Sequence, residues 1–569
     1  MDVIVSCSNH PINHFCHIKR ISRSYISFAT KMISEVGSKI ILTIITYWSW
    51  WWEVPNQQDK FARTVVTVLV LSTLIYVWYK WRLSYSRKAH LPPGPYGLPV
   101  IGYLPFLSSN LHEKFTEIAH KYGPIFSLQL GSKLHVVVNS MDLAKVVARE
   151  QDNTFANRNP PITGLTITYG GLDLVWSNNN THWRNLRKLL ASQVLSNANL
   201  NASQSLRTHE VRKAVNDVYN NIGTKIDINK TAFDTELNVV TNMLWGCSKS
   251  VEGGDFGEML EGFQEVECKI IELIGKPNIS DFIPLLSRFD LQGMNKEMQR
   301  QLEQVERIFN YIIDRRIKLK SSKVDETYEG DGRKDFLEIL LELKDQKNYP
   351  ESFNIIHIKA ILINIVVAAT DTTSTMAEWV MAEILNNPDV MKKVQDELTE
   401  VIGMNSIVEE SHFPKLRYLD AVIKETFRLH PPLPFLIHRC PDESCKVGGY
   451  TIPKGTIVYI NVWAIQRDPE NWTNPLEFKP ERFLNQKWDY NGNNFKFLPF
   501  GSGRRICPGI PLGEKMLVYI LASLLQSFEW SLPKDEEFEL SEEFGFVTKK
   551  RKPLIAIPTQ RLSDASLYF

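Results

Sequence analysis

The longest helical pattern in the chain, residues 355–385, sets the scale of whatever it folds into. Thirty-odd residues at roughly 1.5 Å rise each make a rod about 45 Å long, enough to cross a large domain. Asn386-Asn-Pro388 closes it, because proline cannot continue a helix. The stretch is apolar enough to suggest a membrane span, yet Asp371 and a run of threonines interrupt it, which predicts a core helix instead. Mid-helix lies Ala368-Ala-Thr-Asp-Thr-Thr373, small and β-hydroxy residues of poor helix propensity. A local violation of that kind points to a functional groove.

A second stretch is equally specific: Phe500-Gly-Ser-Gly-Arg-Arg-Ile-Cys-Pro-Gly509, placed just before an apolar helical run that begins around Ile510. Cys507 sits at the entrance of that helix, where the N-terminal field favours negative charge, so the thiol is expected to be biased towards thiolate. Gly501, Gly503 and Gly509 allow sharp turns and close approach to a flat partner. Arg505 is spaced to reach an anionic group at that partner's edge. For a lone cysteine near glycines, a surface loop with a structural thiol is the plainer reading. A planar, apolar partner that offers a metal to a thiolate and carboxylates to an arginine is a haem.

Phe500, Gly503, Arg505, Cys507 and Gly509, at these offsets, resemble the haem-binding loop of the cytochrome P-450 superfamily. Three further motifs stand in the expected order: Asp371-Thr372, Glu425-Thr-Phe-Arg428 and Pro480-Glu-Arg482-Phe483. The resemblance covers residues 91–560 and implies a mainly α fold with small β-sheets (α+β). It implies haem b ligated by Cys507, with Phe500, Gly503, Arg505 and Gly509 shaping the loop. Trp183 and Arg187, four apart and so on one helix face, match positions that hold a haem propionate, and Arg439 sits where another propionate ligand is common. By the same resemblance Asp371 relays protons and Thr372 hydrogen-bonds dioxygen and a water. Ala369 stands where a glycine is common, and its methyl narrows the groove. Glu425, Arg428 and Arg482 are implied to form a buried, fully paired scaffold network. Val367, Ala368, Leu433, Phe435 and Phe546 are expected on the substrate-cavity wall.

Length alone, 569 residues, suggests several domains. No internal repeat or mid-chain linker divides it, so one large catalytic domain, residues 100–569, plus an anchor is expected. The formal net charge of +1 gives no argument for nucleic acid as a partner. The seven cysteines, at 7, 16, 247, 268, 440, 445 and 507, form no compact disulfide or zinc framework, which suits a reducing compartment.

Ahead of the catalytic part, residues 32–90 read as a membrane anchor. A transmembrane helix at about 61–81 has the right length, and the tryptophans at 48–52 suit a membrane interface. Lys80, Arg82, Arg87 and Lys88 follow with no acid before Glu113, which places everything after residue 80 in the cytosol. Residues 1–31 carry Lys19, Arg20, Arg23 and Lys31 against the single acid Asp2. They fit a transit peptide to a plastid, or an upstream extension with Met32 as the true start, the second being favoured. Residues 91–99, opening Leu91-Pro-Pro-Gly-Pro95, form a stiff hinge. Residues 125–130 and 134–138 alternate as a hairpin about Gly131-Ser132.

The whole resembles plant microsomal members of the superfamily, in the group containing sesquiterpene hydroxylases. That implies a single-pass endoplasmic reticulum protein that oxidises an apolar terpenoid with dioxygen. No nucleotide-binding glycine motif occurs here, so electrons are expected from NADPH–cytochrome P-450 reductase, with cytochrome b5 as an additional candidate partner. Two alternatives are a reductase-independent haem-thiolate enzyme that rearranges hydroperoxides, and a non-catalytic haem sensor. The acid–alcohol pair Asp371-Thr372 argues against the first, and a sensor needs neither the long helix nor the cavity loops.

Overall fold

The computed structural model describes residues 57–87, 90–246, 262–322, 335–346, 353–535 and 537–569. The chain divides into two compact units, residues 1–89 and 90–569. In the first, the described part is one helix, α1 (Gln57–Arg87). The expectations for residues 1–31 and for the tryptophans at 48–52 lie outside the described residues. Val65, Val66, Val68, Leu69, Val70 and Leu71 are all exposed, so apolar side chains point outward all round α1. The hydroxyls of Thr64, Thr67 and Thr73 donate back to the carbonyls of Lys60, Arg63 and Leu69 at 2.7, 2.8 and 2.7 Å. The helix thus satisfies these polar groups internally.

In the second unit the helices include α2 (Leu111–Tyr122), α3 (Ile162–Ile167), α4 (Thr181–Gln193), α5 (Gln204–Tyr219), α6 (Ile228–Trp245), α7 (Phe263–Gly275), α8 (Met294–Ser322), α9 (Phe336–Asp345), α10 (Ile355–Asn386), α11 (Pro388–Val401), α12 (Arg417–Leu429) and α13 (Ile510–Ser527), with further short helical turns between them. Around them are short strands: β1 (Ile125–Leu130), β2 (Lys133–Val138), β3 (Ile226–Asp227), β4 (Cys445–Val447), β5 (Tyr450–Ile452), β6 (Ile457–Ile460), β7 (Phe528–Ser531), β8 (Glu542–Glu543), β9 (Lys549–Lys550) and β10 (Ile555–Gln560). β1 and β2 pair antiparallel, Ile125 opposite Val138, and turn through Gly131 at φ +56°. β6 joins β2 in parallel, His135 opposite Ile457. β3–β10–β7 form a second sheet, and β4–β5 and β8–β9 are two-stranded.

The 32-residue α10 is the axis of the unit, packed against α6, α13 and α12. It starts in a capping box: the Asn354 side chain accepts from the amides of Ile356 and His357 at 3.0 and 3.4 Å, and His357 Nδ1 accepts from the Asn354 amide at 3.4 Å. That arrangement satisfies donors the first turn leaves free. Pro388 then opens α11, where a missing N–H costs nothing. The helix is long and apolar enough to cross a membrane, but Leu362, Trp379, Val380 and Ala382 are fully buried in the protein core.

The buried cluster on α12 is completely paired. Arg428 grips Glu425 through both ends of its fork, Nε to Oε2 at 2.7 Å and Nη2 to Oε1 at 2.8 Å. Glu425 Oε1 also accepts from the Lys479 amide at 2.8 Å and from Arg482 Nε at 3.3 Å. Arg428 Nη1 donates to the carbonyls of Gln466 and Pro475 at 2.9 and 2.7 Å. A buried charge cluster persists only when paired in this way. It ties α12 to the segment that leads into the cysteine loop.

Candidate functional site

The cysteine loop is closed by the Cys507 amide, which donates to the Phe500 carbonyl at 3.0 Å. Gly509, the N-cap of α13, donates its amide to Cys507 Sγ at 3.3 Å. Gly503 has φ +67°, and a Cβ there would lie 2.1 Å from the Ala148 carbonyl oxygen, so only glycine fits. Phe500 packs on Phe427 and Tyr490 with ring centroids 5.1 and 5.0 Å away. Burial pushes the Cys507 thiol up; the amides of Gly509 and Ile510 and the Arg187 guanidinium pull it back only in part. The bias towards thiolate expected from the helix N-terminus is therefore outweighed by desolvation. A sulfur anion here needs a cation directly opposite it, which a metal supplies.

Four guanidiniums face the same cavity: Arg158, Arg187, Arg439 and Arg505. Arg505 donates to the carbonyls of Ala156 (2.7 Å), Leu174 (3.2 Å) and Ser177. Arg187 reaches Ile506 O at 2.6 Å, and Arg439 Nη2 reaches Ser502 O at 2.7 Å. Arg158 donates to Val175, Ile437 and His438 carbonyls at 3.1, 2.7 and 2.6 Å. Burial, then the neighbouring Arg439 and Arg187, lower Arg505 to about 9, and burial lowers Arg439 to about 10. Arg439 Nη1 is buried with no partner. So much desolvated positive charge, opposed by Asp173 beside Arg158 and Arg505 and by Asp152 beside Arg439, asks for an anionic ligand. Trp183 does not offer its N–H to the cavity. Its Nε1 donates to Leu174 O at 3.0 Å, and its ring lies 4.1 Å beneath the Arg505 guanidinium.

The opposite wall is α10. Asn364, Ala368, Thr372 and Met376 follow one another at four-residue spacing and so share a face, with Val367 and Ala369 beside them. Leu433, Leu436, Ile437 and Phe546 complete the apolar walls. Phe435 was expected there, but it turns the other way. It is 6% exposed and packs with Phe115, Tyr459 and Phe544 in a separate core cluster.

The acid and the alcohol point to different places. Thr372 lines the cavity, its Oγ1 donating to the Ala368 carbonyl at 2.8 Å. Asp371 is only 2% exposed, forms an ion pair through Oδ1 with Lys549 on β9, and leaves Oδ2 without a partner. Burial raises the Asp371 carboxyl, and Lys549 opposes that rise. Thr370, one residue earlier, donates to the fully buried Glu267 of α7, whose carboxyl burial holds far above the usual range.

Arg158, Asp173, Asn364, Glu267 and Lys549 were not singled out in the sequence. For three of them a signal was present: Arg158 and Asp173 are the only charged residues in the stretch 157–180. Asn364 is likewise the lone polar residue in the run 360–369.

A buried sulfur, a guanidinium cluster short of anions and an apolar slot between them fit a flat, metal-bearing dicarboxylate, which is what a haem is. Comparison with known proteins agrees. The family model described as "Cytochrome P450" matches residues 92–557. Geraniol 8-hydroxylase of Catharanthus roseus is 38% identical over 503 residues, covering 87% of this chain and 99% of that protein. Ferruginol synthase of Isodon rubescens is 34% identical, covering 86% and 99%. A zebra fish cytochrome P450 solved with progesterone superposes with a TM-score of 0.67 at 26% identity, covering 79% of this chain and 99% of that one. The chain belongs to the cytochrome P450 family, and it is a haem-thiolate monooxygenase.

Proposed function

We propose that this monooxygenase is anchored in the endoplasmic reticulum membrane and hydroxylates a terpenoid, with electrons from NADPH delivered by cytochrome P450 reductase. Cytochrome b5 is a second candidate donor. The observation that carries the reading is one cavity with Cys507 and four guanidiniums on one side and the Ala368–Thr372 face of α10 on the other. The apolar walls suit a hydrocarbon skeleton, and relatives are named for acting on geraniol and forming ferruginol. Residues 32–90 serve as the anchor, 91–99 as the hinge and 100–569 as the catalytic domain. The outward apolar side chains of α1, with its threonines satisfied on its own backbone, support a span.

In the site, Cys507 is the sulfur ligand of haem b. Arg187, Arg439 and Arg505 face its carboxylates, with Arg158 as a fourth cation, and Trp183 supports Arg505 from beneath its guanidinium. When bound, haem activates dioxygen so that one atom enters a substrate C–H bond and the other leaves as water, two electrons and two protons being consumed. Thr372 Oγ1 swings from the Ala368 carbonyl to hold a water in the cavity. Asp371 takes its proton from Lys549, whose side chain is 34% exposed and so reaches solvent.

The test is turnover in microsomes with added reductase, NADPH and a panel of mono-, sesqui- and diterpenoids. An oxygenated product carrying one atom from labelled dioxygen is expected. No product from any member, in a preparation with intact thiolate-ligated haem, would overturn the substrate class.

A further inference from the structure

Asn364 is an uncharged polar residue on the α10 wall of the cavity. Its amide Nδ2 donates to Asp173 Oδ2 at 3.2 Å. Asp173 is fully buried in the loop before α4 and accepts two more N–H groups, from Val175 at 3.1 Å and Trp176 at 3.0 Å. A carboxylate can only accept, so it fixes which end of the amide faces it. The carbonyl Oδ1 of Asn364 is thereby turned away from Asp173. Among the described residues nothing donates a hydrogen bond to it, and the residue lines the cavity.

Resting on the reading of this cavity as a terpenoid site, we propose that Asn364 Oδ1 anchors the hydroxyl of a terpenoid alcohol, with Asp173 as its positioning residue. The spacing along α10 sets which carbon is then presented. Asn364 lies one turn from Ala368 and two from Thr372, about 6 and 12 Å along the axis. A hydroxyl held at Asn364 therefore places the reacting carbon roughly 6–12 Å away from it, at the far end of an acyclic ten-carbon alcohol. The carbonyl selects for donors. An aldehyde, a methyl ether or the parent hydrocarbon leaves a desolvated acceptor unpaired, and such sites reject the analogue that lacks the donor.

The experiment titrates the haem-loaded enzyme with geraniol, its methyl ether and its aldehyde, following the Soret shift that reports binding next to the haem. Wild type is expected to bind the alcohol at least about tenfold more tightly than the other two. Asn364→Leu should bind all three alike, with the alcohol weakened and the ether bound more tightly than by wild type, and Asp173→Asn should lose part of the preference. Equal binding of the three by wild type, or a preference that survives in Asn364→Leu, would overturn the anchor. Neither result would touch the monooxygenase reading, which the carbon monoxide spectrum of the same samples reports separately. Absence of any shift with all three ligands, where that spectrum is intact, would overturn the anchor and the terpenoid class together.

Discussion

Lys549 on β9 pairs with Asp371 on α10, and the pair turns this acid away from the cavity that its neighbour Thr372 lines. The acid therefore faces a solvent-reaching cation, and the alcohol faces the reaction space. The two residues are consecutive on α10, about 100° apart around its axis, so in the proposed relay a proton passes around the helix rather than across the cavity.

That arrangement predicts distinct effects of the two residues. Lys549→Met removes the group that opposes burial, so the Asp371 carboxyl rises further above its ordinary value. Turnover should fall about tenfold with an increased solvent isotope effect, while the carbon monoxide spectrum is retained. Thr372→Ala should instead lower the ratio of product formed to NADPH consumed. An unchanged ratio in that variant would remove Thr372 from proton delivery.

Arg439 separates haem binding from stability. Among the described residues the buried Arg439 Nη1 has no hydrogen-bond partner, so Arg439→Met should leave the melting temperature of the haem-free protein unchanged or raised. Haem retention on dilution should fall about tenfold or more, the order expected for losing a charge-assisted hydrogen bond. Equal effects on both measurements would mean that Arg439 is a structural residue.

His430 bridges two buried carboxylates, with Nε2 2.8 Å from Glu383 Oε1 and Nδ1 2.8 Å from Glu542 Oε1. Glu542 also meets His112 at 3.1 Å, Arg467 at 3.4 Å and the Trp463 indole at 3.1 Å. Burial alone would lower His430, but the two carboxylates outweigh it and hold the imidazole above its ordinary value. A raised folded-state value means stability that is full below about 6.5 and lost as pH rises through the folded value. Thermal unfolding should therefore shift down as pH rises above about 6.5. His430→Gln should flatten that slope and cost about 3 kcal/mol.

Glu425→Ala leaves Arg428 buried without its carboxylate, which costs about 3–5 kcal/mol. The expected result is a protein with little bound haem and a lowered unfolding temperature. Glu425→Gln keeps an acceptor and should recover part of both.

The helices and the cysteine loop were legible because their causes are local. Pro388 marks the end of α10, and Gly503 stands where only glycine fits against Ala148. The site was legible only in part, because side-chain direction depends on partners far along the chain. Asp371 is pulled aside by a lysine 178 residues later, and Phe435 is drawn into an aromatic cluster with Phe115. Trp183 spends its N–H on Leu174, in a loop whose path its own helix does not determine. For the Cys507 thiol the helix field is readable from position, but the depth of burial that opposes it is not.

The central claim is that Cys507 ligates haem as a thiolate in this cavity, and its most direct test is the carbon monoxide difference spectrum of the reduced, haem-loaded protein. A strongly red-shifted Soret band in wild type, absent from Cys507→Ala, is the predicted result. An unshifted band in wild type, or a red-shifted band that survives in Cys507→Ala, would contradict it.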